Sequence, residues 1–143
     1  MCQKWGQVHF ETYLTREVIP FIDLTFRTVK APNSRALAGL SMGGGHTIYT
    51  GFRHSDLFTA LGIFRPGLPG ESNLKIAAPG SVKLIWISCG DQDSTVRYER
   101  IKEWAESLKP EGVATSFHTY AGAHTWPVWR MSLADFAPLL FAE

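Results

Sequence analysis

The sequence predicts an α/β fold, in which a mostly parallel sheet is flanked by helices. Strand-like and amphipathic stretches alternate along the 143 residues, and this order is typical of parallel sheets. Three loops at residues 39–45, 89–95 and 122–126 also begin where predicted strands end. Because the carboxyl ends of parallel strands meet at one edge of the sheet, these loops indicate a ligand site there.

The elements follow in order from their residue patterns. Apolar residues at helical spacing predict a helix over residues 10–29, which Pro20 should kink or split. Short apolar stretches predict strands at 35–40 and 58–64. The stretch at 83–88, rich in β-branched and aromatic residues, is the clearest strand, and an alternating pattern predicts another at 115–120. Further helices are predicted at 45–52, at 96–109 and from Pro127 to about residue 141. Residues 65–81 contain three prolines and three glycines, which favours a surface loop or a cap over a site.

The composition suits one domain, residues 1–143, and excludes several classes of function. Fourteen basic and thirteen acidic residues give a net charge of +1, so we expect neither a nucleic-acid nor a membrane partner. No apolar stretch has the length of a membrane span, and the first residues lack the apolar core of a signal peptide. Localisation therefore stays open, with the cytoplasm as the default. Cys2 and Cys89 form no CxxC pair, which argues against a zinc site, and Cys89 is expected to be a buried, inert thiol.

The clearest motif is Gly39-Leu40-Ser41-Met42-Gly43, a Gly-x-Ser-x-Gly pattern between a predicted strand and a predicted helix. Such a serine sits in a strained turn that lifts its hydroxyl above the sheet. We expect both glycine positions to be too crowded for the β-carbon of any other residue. The Met42 N–H at the helix start suits an oxyanion. Two alternatives remain open: a glycine-rich helix start that only eases packing, or a phosphate site.

A serine nucleophile needs a base, and five histidines are candidates. His124 follows the last predicted strand, where a loop can direct its imidazole at Ser41, although an ordinary loop histidine is the alternative. His118 lies inside that strand and is expected to be structural. His46 is too close to the serine along the helix to act as its base, but it can line the pocket. The remaining two, His9 and His54, are expected at the surface.

The acid that orients the histidine should lie between the serine and the histidine in the chain. Asp91 and Asp93 both follow the third predicted strand, and spacing does not choose between them. Either aspartate can instead cap the helix that follows.

Four segments together resemble a family: FETYLTREVIPFID, GLSMGGGHT, ISCGDQDS and AGAHTWPVWRMSLADFAPLLF. They are similar to the esterase group that includes carbohydrate esterase family 1, with its feruloyl esterases, acetyl xylan esterases and esterase D relatives. The resemblance implies an α/β-hydrolase fold and ester hydrolysis through an acyl-enzyme, without metal or organic cofactor. It assigns Ser41 as nucleophile and His124 as base. It also favours Asp93 as the acid, because the family's acid ends a Cys-Gly-x-x-Asp segment.

The same resemblance implies the substrates, namely small acyl or aryl esters, including feruloyl or acetyl esters of plant polysaccharide. Trp126, Trp129 and the loop at 65–81 are the expected pocket walls. A complete member has a further N-terminal portion of comparable size, so we expect a domain truncated at its N-terminus, without the second oxyanion donor. The strand at 35–40 would then have a bare edge, which predicts a homodimer or higher oligomer. The alternatives are an inactive, self-associating fragment or an acyltransferase that uses the same triad.

Overall fold

The computed structural model describes residues 2–68, 75–78, 80–94, 98–108 and 113–141. Within them, four parallel strands form one sheet in the order β1-β2-β3-β4. The strands are β1 (Ala36–Ser41), β2 (Ala60–Pro66), β3 (Leu84–Gly90) and β4 (Ala114–Tyr120). The α/β class and the mostly parallel sheet are therefore confirmed, and each predicted strand is present with ends that differ by at most two residues.

The helices are α1 (Cys2–Tyr13), α2 (Ile19–Thr25), α3 (Met42–Arg53), α4 (Tyr98–Ser107) and α5 (Trp126–Phe136). The helix predicted at 10–29 was placed too late, because α1 begins at Cys2 and α2 ends at Thr25. Leu14–Val18 forms a π-helical segment between them, so Pro20 splits two α-helices without breaking the helical path. Since proline has no N–H to donate, a wider turn just before it keeps the chain helical.

The last helix was predicted to reach residue 141, but α5 ends at Phe136 and Ala137–Leu139 is a 3₁₀ turn. Pro138 lies in that turn, and its missing N–H accounts for the end of the α-helix. Arg65 and Pro66, predicted to open a loop, belong to β2. Residues 69–74 and 79 of that loop lie outside the described residues, as do positions 96, 97 and 109 of the helix predicted at 96–109.

Apolar layers cover both faces of the sheet, because successive strand side chains point to opposite sides. Ile85 and Ile87 of β3 belong to a large cluster with residues of α3 and α4. Trp86 points to the other face, where it packs with Phe64 and with Phe136 of α5. Every residue of β2 is buried and β3 is nearly so, so the middle of the sheet is a firm support for the loops at its carboxyl edge.

Two polar contacts fasten α1 to the end of α3. The Glu11 carboxylate accepts from Arg53 Nε at 3.0 Å and contacts His54 Nε2 at 2.6 Å. His54 is thus partly buried against Glu11, where the sequence predicted a surface residue, while His9 is exposed as expected. In the described part of the chain, no helix is long and apolar enough to cross a membrane.

Candidate active site

Ser41 is the last residue of β1 and is followed at once by α3. Its backbone has φ 55° and ψ −117°, a conformation that residues with a side chain rarely adopt. The turn is very tight, since a β-carbon at Gly39 would lie 2.3 Å from the carbonyl oxygen of Gly43. The strained turn predicted from the motif is therefore present, with the serine at its apex.

The expectation for the second glycine of the motif was wrong. A β-carbon at Gly43 would meet nothing within 4 Å. The crowded position is the next one, because a β-carbon at Gly44 would lie 3.0 Å from Pro66 Cα. Sterically, the turn depends on Gly39 and Gly44.

His124 lies in the loop between β4 and α5, and its two ring nitrogens contact Ser41 and Asp93. Nε2 is 3.0 Å from Ser41 Oγ, and Nδ1 is 2.9 Å from Asp93 Oδ2. Because a carboxylate only accepts hydrogen bonds, a neutral imidazole here carries its proton on Nδ1. Nε2 is then free to accept the Ser41 hydroxyl proton, which is the arrangement needed to activate a serine.

The two aspartates that spacing left undecided have different surroundings. Asp93 is 5% exposed and contacts His124. Asp91 is exposed, and its Oδ1 accepts a hydrogen bond from the Gly122 N–H at 2.9 Å. Asp91 therefore braces the His124 loop through its backbone, and Asp93 is the carboxylate that meets the imidazole.

Two glycines let the Asp93 and His124 loops come together. A β-carbon at Gly90 would lie 2.3 Å from the Gly122 carbonyl oxygen, and Gln92 N donates to that same oxygen at 2.9 Å. Gly122 has φ 134°, which favours glycine. The contact between the two loops sets the position of Asp93 relative to His124.

Sequence reasoning missed Arg65. Its side chain is buried, and its Nε lies 2.9 Å from Asp93 Oδ2. Arg65 was assigned to a surface loop because its neighbours include prolines and glycines. Its position depends on how β2 pairs with β1, and local sequence carries no signal for that pairing.

The aromatic residues proposed as pocket walls lie beside His124. Trp129 meets the imidazole edge to face with 4.7 Å between ring centroids. Trp126 meets Trp129 in the same way at 5.3 Å and is 66% exposed. His46 has a different neighbour, since its ring stacks on Phe10 of α1 at 4.6 Å. Burial lowers the pKa of His46, so this side chain favours its neutral form.

Two further predictions concern groups near the site. Cys89 is fully buried, and burial raises the pKa of its thiol to about 11, as expected for an inert cysteine. His118 stacks on Trp86 with 3.4 Å between ring centroids, and burial lowers its pKa, although Asp135 opposes this effect. Its contact is therefore structural. No group of three metal-ligating side chains occurs within the residues that the structure describes.

A family model described as "Putative esterase" matches residues 2–140. A curated relative, the endo-1,4-beta-xylanase/feruloyl esterase of Xylanibacter ruminicola, is 36% identical over 141 residues, which cover 96% of this chain and 18% of that enzyme.

Solved structures of esterases superpose on this chain. A ferulic acid esterase superposes with a TM-score of 0.74 at 28% identity, covering 92% of this chain and 60% of that one. A carbohydrate esterase family 1 ferulic acid esterase from Anaeromyces mucronatus, solved with ferulic acid, superposes with a TM-score of 0.78 at 22% identity, over 92% of this chain and 54% of that one. The chain thus spans less than a fifth of the curated relative and somewhat more than half of these structures.

Proposed function

Because this chain belongs to the esterase family whose model it matches, we propose that it hydrolyses carboxylic esters through an acyl-enzyme on Ser41. The observation that carries the proposal is the unbroken series of contacts from Ser41 Oγ through His124 to Asp93, at 3.0 and 2.9 Å. These two contacts favour a catalytic base over an ordinary loop histidine, which would not be expected to contact both a strained serine and a buried carboxylate. A site for a bound phosphate would need neither the histidine nor the acid.

In the proposed reaction, Ser41 Oγ attacks the ester carbonyl while His124 Nε2 takes the hydroxyl proton. The imidazolium then gives that proton to the departing alcohol, leaving an ester of Ser41. Water repeats both steps, so the acid is released and the serine is restored. Asp93 keeps the Nδ1–H tautomer in place and stabilises the positive charge that develops on the ring.

Met42 is proposed to supply an oxyanion donor. It follows Ser41 directly and is the first residue of α3. The first backbone N–H groups of a helix have no carbonyl partner within that helix, and they lie at the positive end of its dipole. A negative oxygen formed on the carbonyl at Ser41 is therefore stabilised there, and such a donor is typically worth about 10²–10³ in turnover.

The proposed substrates are esters of aryl or small acyl acids, including feruloyl or acetyl groups on plant polysaccharide. The curated relative is named as a xylanase and feruloyl esterase, and the first structural relative as a ferulic acid esterase. The exposed Trp126 next to Trp129 supports this substrate class, because flat aromatic faces suit an aryl acid or a sugar ring. The role of His46 as a pocket residue stays a prediction, and its ring stacks on Phe10.

The oligomer predicted from the sequence stays a prediction, as does the assignment of residues 1–143 to one N-terminally truncated domain. In the described sheet, β1 pairs only with β2. Large apolar side chains of α2 and the following segment are exposed, with Leu24 at 82% and Val29 at 66%. A pocket of about 600 Å³ opens between α2 and the segment before β1, away from Ser41. If the chain self-associates through this surface, its mass in solution at micromolar concentration should be at least that of a dimer. A monomeric mass would contradict the predicted oligomer.

The test is hydrolysis of p-nitrophenyl acetate and methyl ferulate by the wild type beside Ser41→Ala. We expect the variant to fall to the buffer rate, because the nucleophile is gone. Asp93→Asn should lose up to about 10⁴-fold in turnover, since the amide favours the wrong histidine tautomer.

The matched control is Asp91→Asn, which keeps an oxygen for the Gly122 N–H and should retain nearly full activity. Covalent labelling by a fluorophosphonate, followed by mass spectrometry, identifies the reactive residue as Ser41. Equal rates for the folded wild type and folded Ser41→Ala would refute the proposal.

A further inference from the structure

A positive charge lies buried against the proposed acid. Arg65 is 6% exposed, and its Nε lies 2.9 Å from Asp93 Oδ2, with the two side chains 7% and 0% exposed. An isolated charge in such surroundings is strongly disfavoured, so a buried arginine is expected to serve a partner. The same oxygen, Oδ2, also receives His124 Nδ1 at 2.9 Å. The arginine and the histidine therefore both contact the same carboxylate oxygen of Asp93.

The backbone is distorted at this residue. Leu40 of β1 pairs with Phe64 of β2, but the next residue, Ser41, pairs with Pro66. Arg65 is thus the extra residue of a β-bulge, and its φ of 44° is unusual for a residue with a side chain. Bulges redirect a side chain beside active sites. Such strain persists where surrounding contacts fix it, and the contact made here is with Asp93.

The contact acts through charge more than through a directed hydrogen bond. Among the described residues, neither Nε nor Nη2 of Arg65 has a hydrogen-bond partner, although Nε is close to Asp93. The charges of Asp93 and Arg65 have opposite effects on the pKa of the Cys89 thiol. Asp93 adds to the burial that raises the pKa of Cys89, whereas Arg65 lowers it.

We infer that Arg65 is a positioning residue, which keeps Asp93 ionised in its buried site and weakens the hold of Asp93 on an imidazolium at His124. With the arginine present, the carboxylate is already partly compensated, so Asp93 attracts an imidazolium at His124 less strongly. Without the arginine, that attraction would be stronger. This role rests on the proposed function, since it serves the base that activates Ser41.

Two charged side chains of the described residues bear on His124: Asp93 directly, and Arg65 through Asp93. The side chains in contact with its ring are Ser41 at the end of β1, Asp93 after β3 and Trp129 of α5. Arg65 acts from the end of β2 through Asp93. Because both nitrogens lie 2.9 Å from one oxygen, Arg65 Nε and His124 Nδ1 are at most about 6 Å apart. A like charge at about that distance shifts a titration by about one pH unit or more.

The test is an NMR titration of the His124 ring, assigned with His124→Gln, which needs no ester turnover. Two neutral variants are compared with the wild type: Arg65→Gln keeps most of the side-chain volume, and Arg65→Gly accepts the positive φ. We expect the His124 midpoint to rise by about one pH unit or more in both and to return close to the wild type in Arg65→Lys. Arg53→Gln, which removes an arginine that pairs with Glu11, should leave the midpoint unchanged. An unchanged or lowered midpoint in the folded neutral variants overturns the inference.

If neither neutral variant folds, Arg65→Met, a neutral and unbranched side chain of similar length, takes their place. Its His124 midpoint should rise in the same way, and an unchanged midpoint in the folded variant overturns the inference. In the hydrolysis assay, the acidic limb of kcat/KM should move to higher pH in Arg65→Gln while KM changes little. A wild type that fails to hydrolyse esters but shows the NMR shift refutes the proposed function and leaves the Arg65 contact standing. Hydrolysis with no shift refutes the Arg65 role alone.

Discussion

The two glycines of the serine motif should respond in opposite ways to the same substitution. In Gly39→Ala, the new methyl carbon would lie 2.3 Å from the Gly43 carbonyl oxygen and 2.4 Å from its carbon. In Gly43→Ala, it would meet nothing within 4 Å. Both changes add one methyl group, and the two sites are four residues apart on either side of Ser41. Gly43→Ala is therefore a matched control for Gly39→Ala.

The expected magnitudes follow from these distances. A carbon and a carbonyl oxygen need more than 3 Å, so Gly39→Ala must push the two ends of the turn about 1 Å apart. Overpacking of this kind costs about 1–3 kcal/mol, which lowers the melting temperature by about 3–10 °C for a chain of this length. A shift near 1 Å at Ser41 also costs about 10²-fold in rate. In Gly43→Ala, a helical glycine becomes alanine, which gains up to about 1 kcal/mol.

Thermal melting followed by circular dichroism measures the first effect, and ester hydrolysis or fluorophosphonate labelling measures the second. We expect Gly39→Ala to lose both stability and reactivity. Gly43→Ala should melt at or slightly above the wild-type temperature and keep its reactivity. If Gly43→Ala is damaged as severely as Gly39→Ala, then Gly43 is crowded and our account of the turn is wrong.

Two further predictions concern groups whose pKa the fold displaces. Burial raises the pKa of the Cys89 thiol to about 11, so a thiol reagent at pH 8 should label Cys89 only after denaturation. Peptide mapping that finds Cys89 rapidly labelled in the native protein would contradict this. Burial lowers the pKa of His118 from 6.5, so below about pH 6.5 the unfolded chain binds more protons and the folded state loses stability. His118→Phe keeps a ring on Trp86 and should lose less stability between pH 7.5 and pH 5, as urea unfolding can measure; an equal loss would exclude His118 as a contributor.

The sequence predicted the sheet well because its signals are local. Apolar, β-branched stretches mark the strands wherever both faces are buried, and β3 was expected at 83–88 and observed at Leu84–Gly90. The first helix was placed less well. Its early turns carry no clear apolar pattern, and α1 is fastened to α3 through Glu11 and Phe10. Those contacts join residues more than thirty positions apart, so no local pattern reports them.

The residues of the candidate site also differ in how well local sequence predicts them. Ser41 and His124 follow from a short motif and from the position of a loop. Choosing between Asp91 and Asp93 required the contact of each with residues 31 positions away, and only a family resemblance favoured Asp93 beforehand. Arg65 was invisible because its direction is set by a bulge between β1 and β2. The register of a sheet is a property of two strands, and one strand's sequence does not contain it.

The bulge and the serine turn depend on the same pairing. Ser41 and Arg65 both have positive φ values, 55° and 44°, and they flank the single break in the β1–β2 register. Strain of this kind costs about 1–3 kcal/mol per residue and survives only where neighbouring structure holds it. β2 is held on both sides by β1 and β3, whereas β1 in the described sheet is held only by β2. Loosening of β1 would therefore relax the strained turn at Ser41 and separate the nucleophile from the His124–Asp93 pair. A partner that covers the free edge of β1 should then raise both the reactivity of the serine and the stability of the fold. It would do so without touching His124, because that edge is on the opposite side of the sheet from β4.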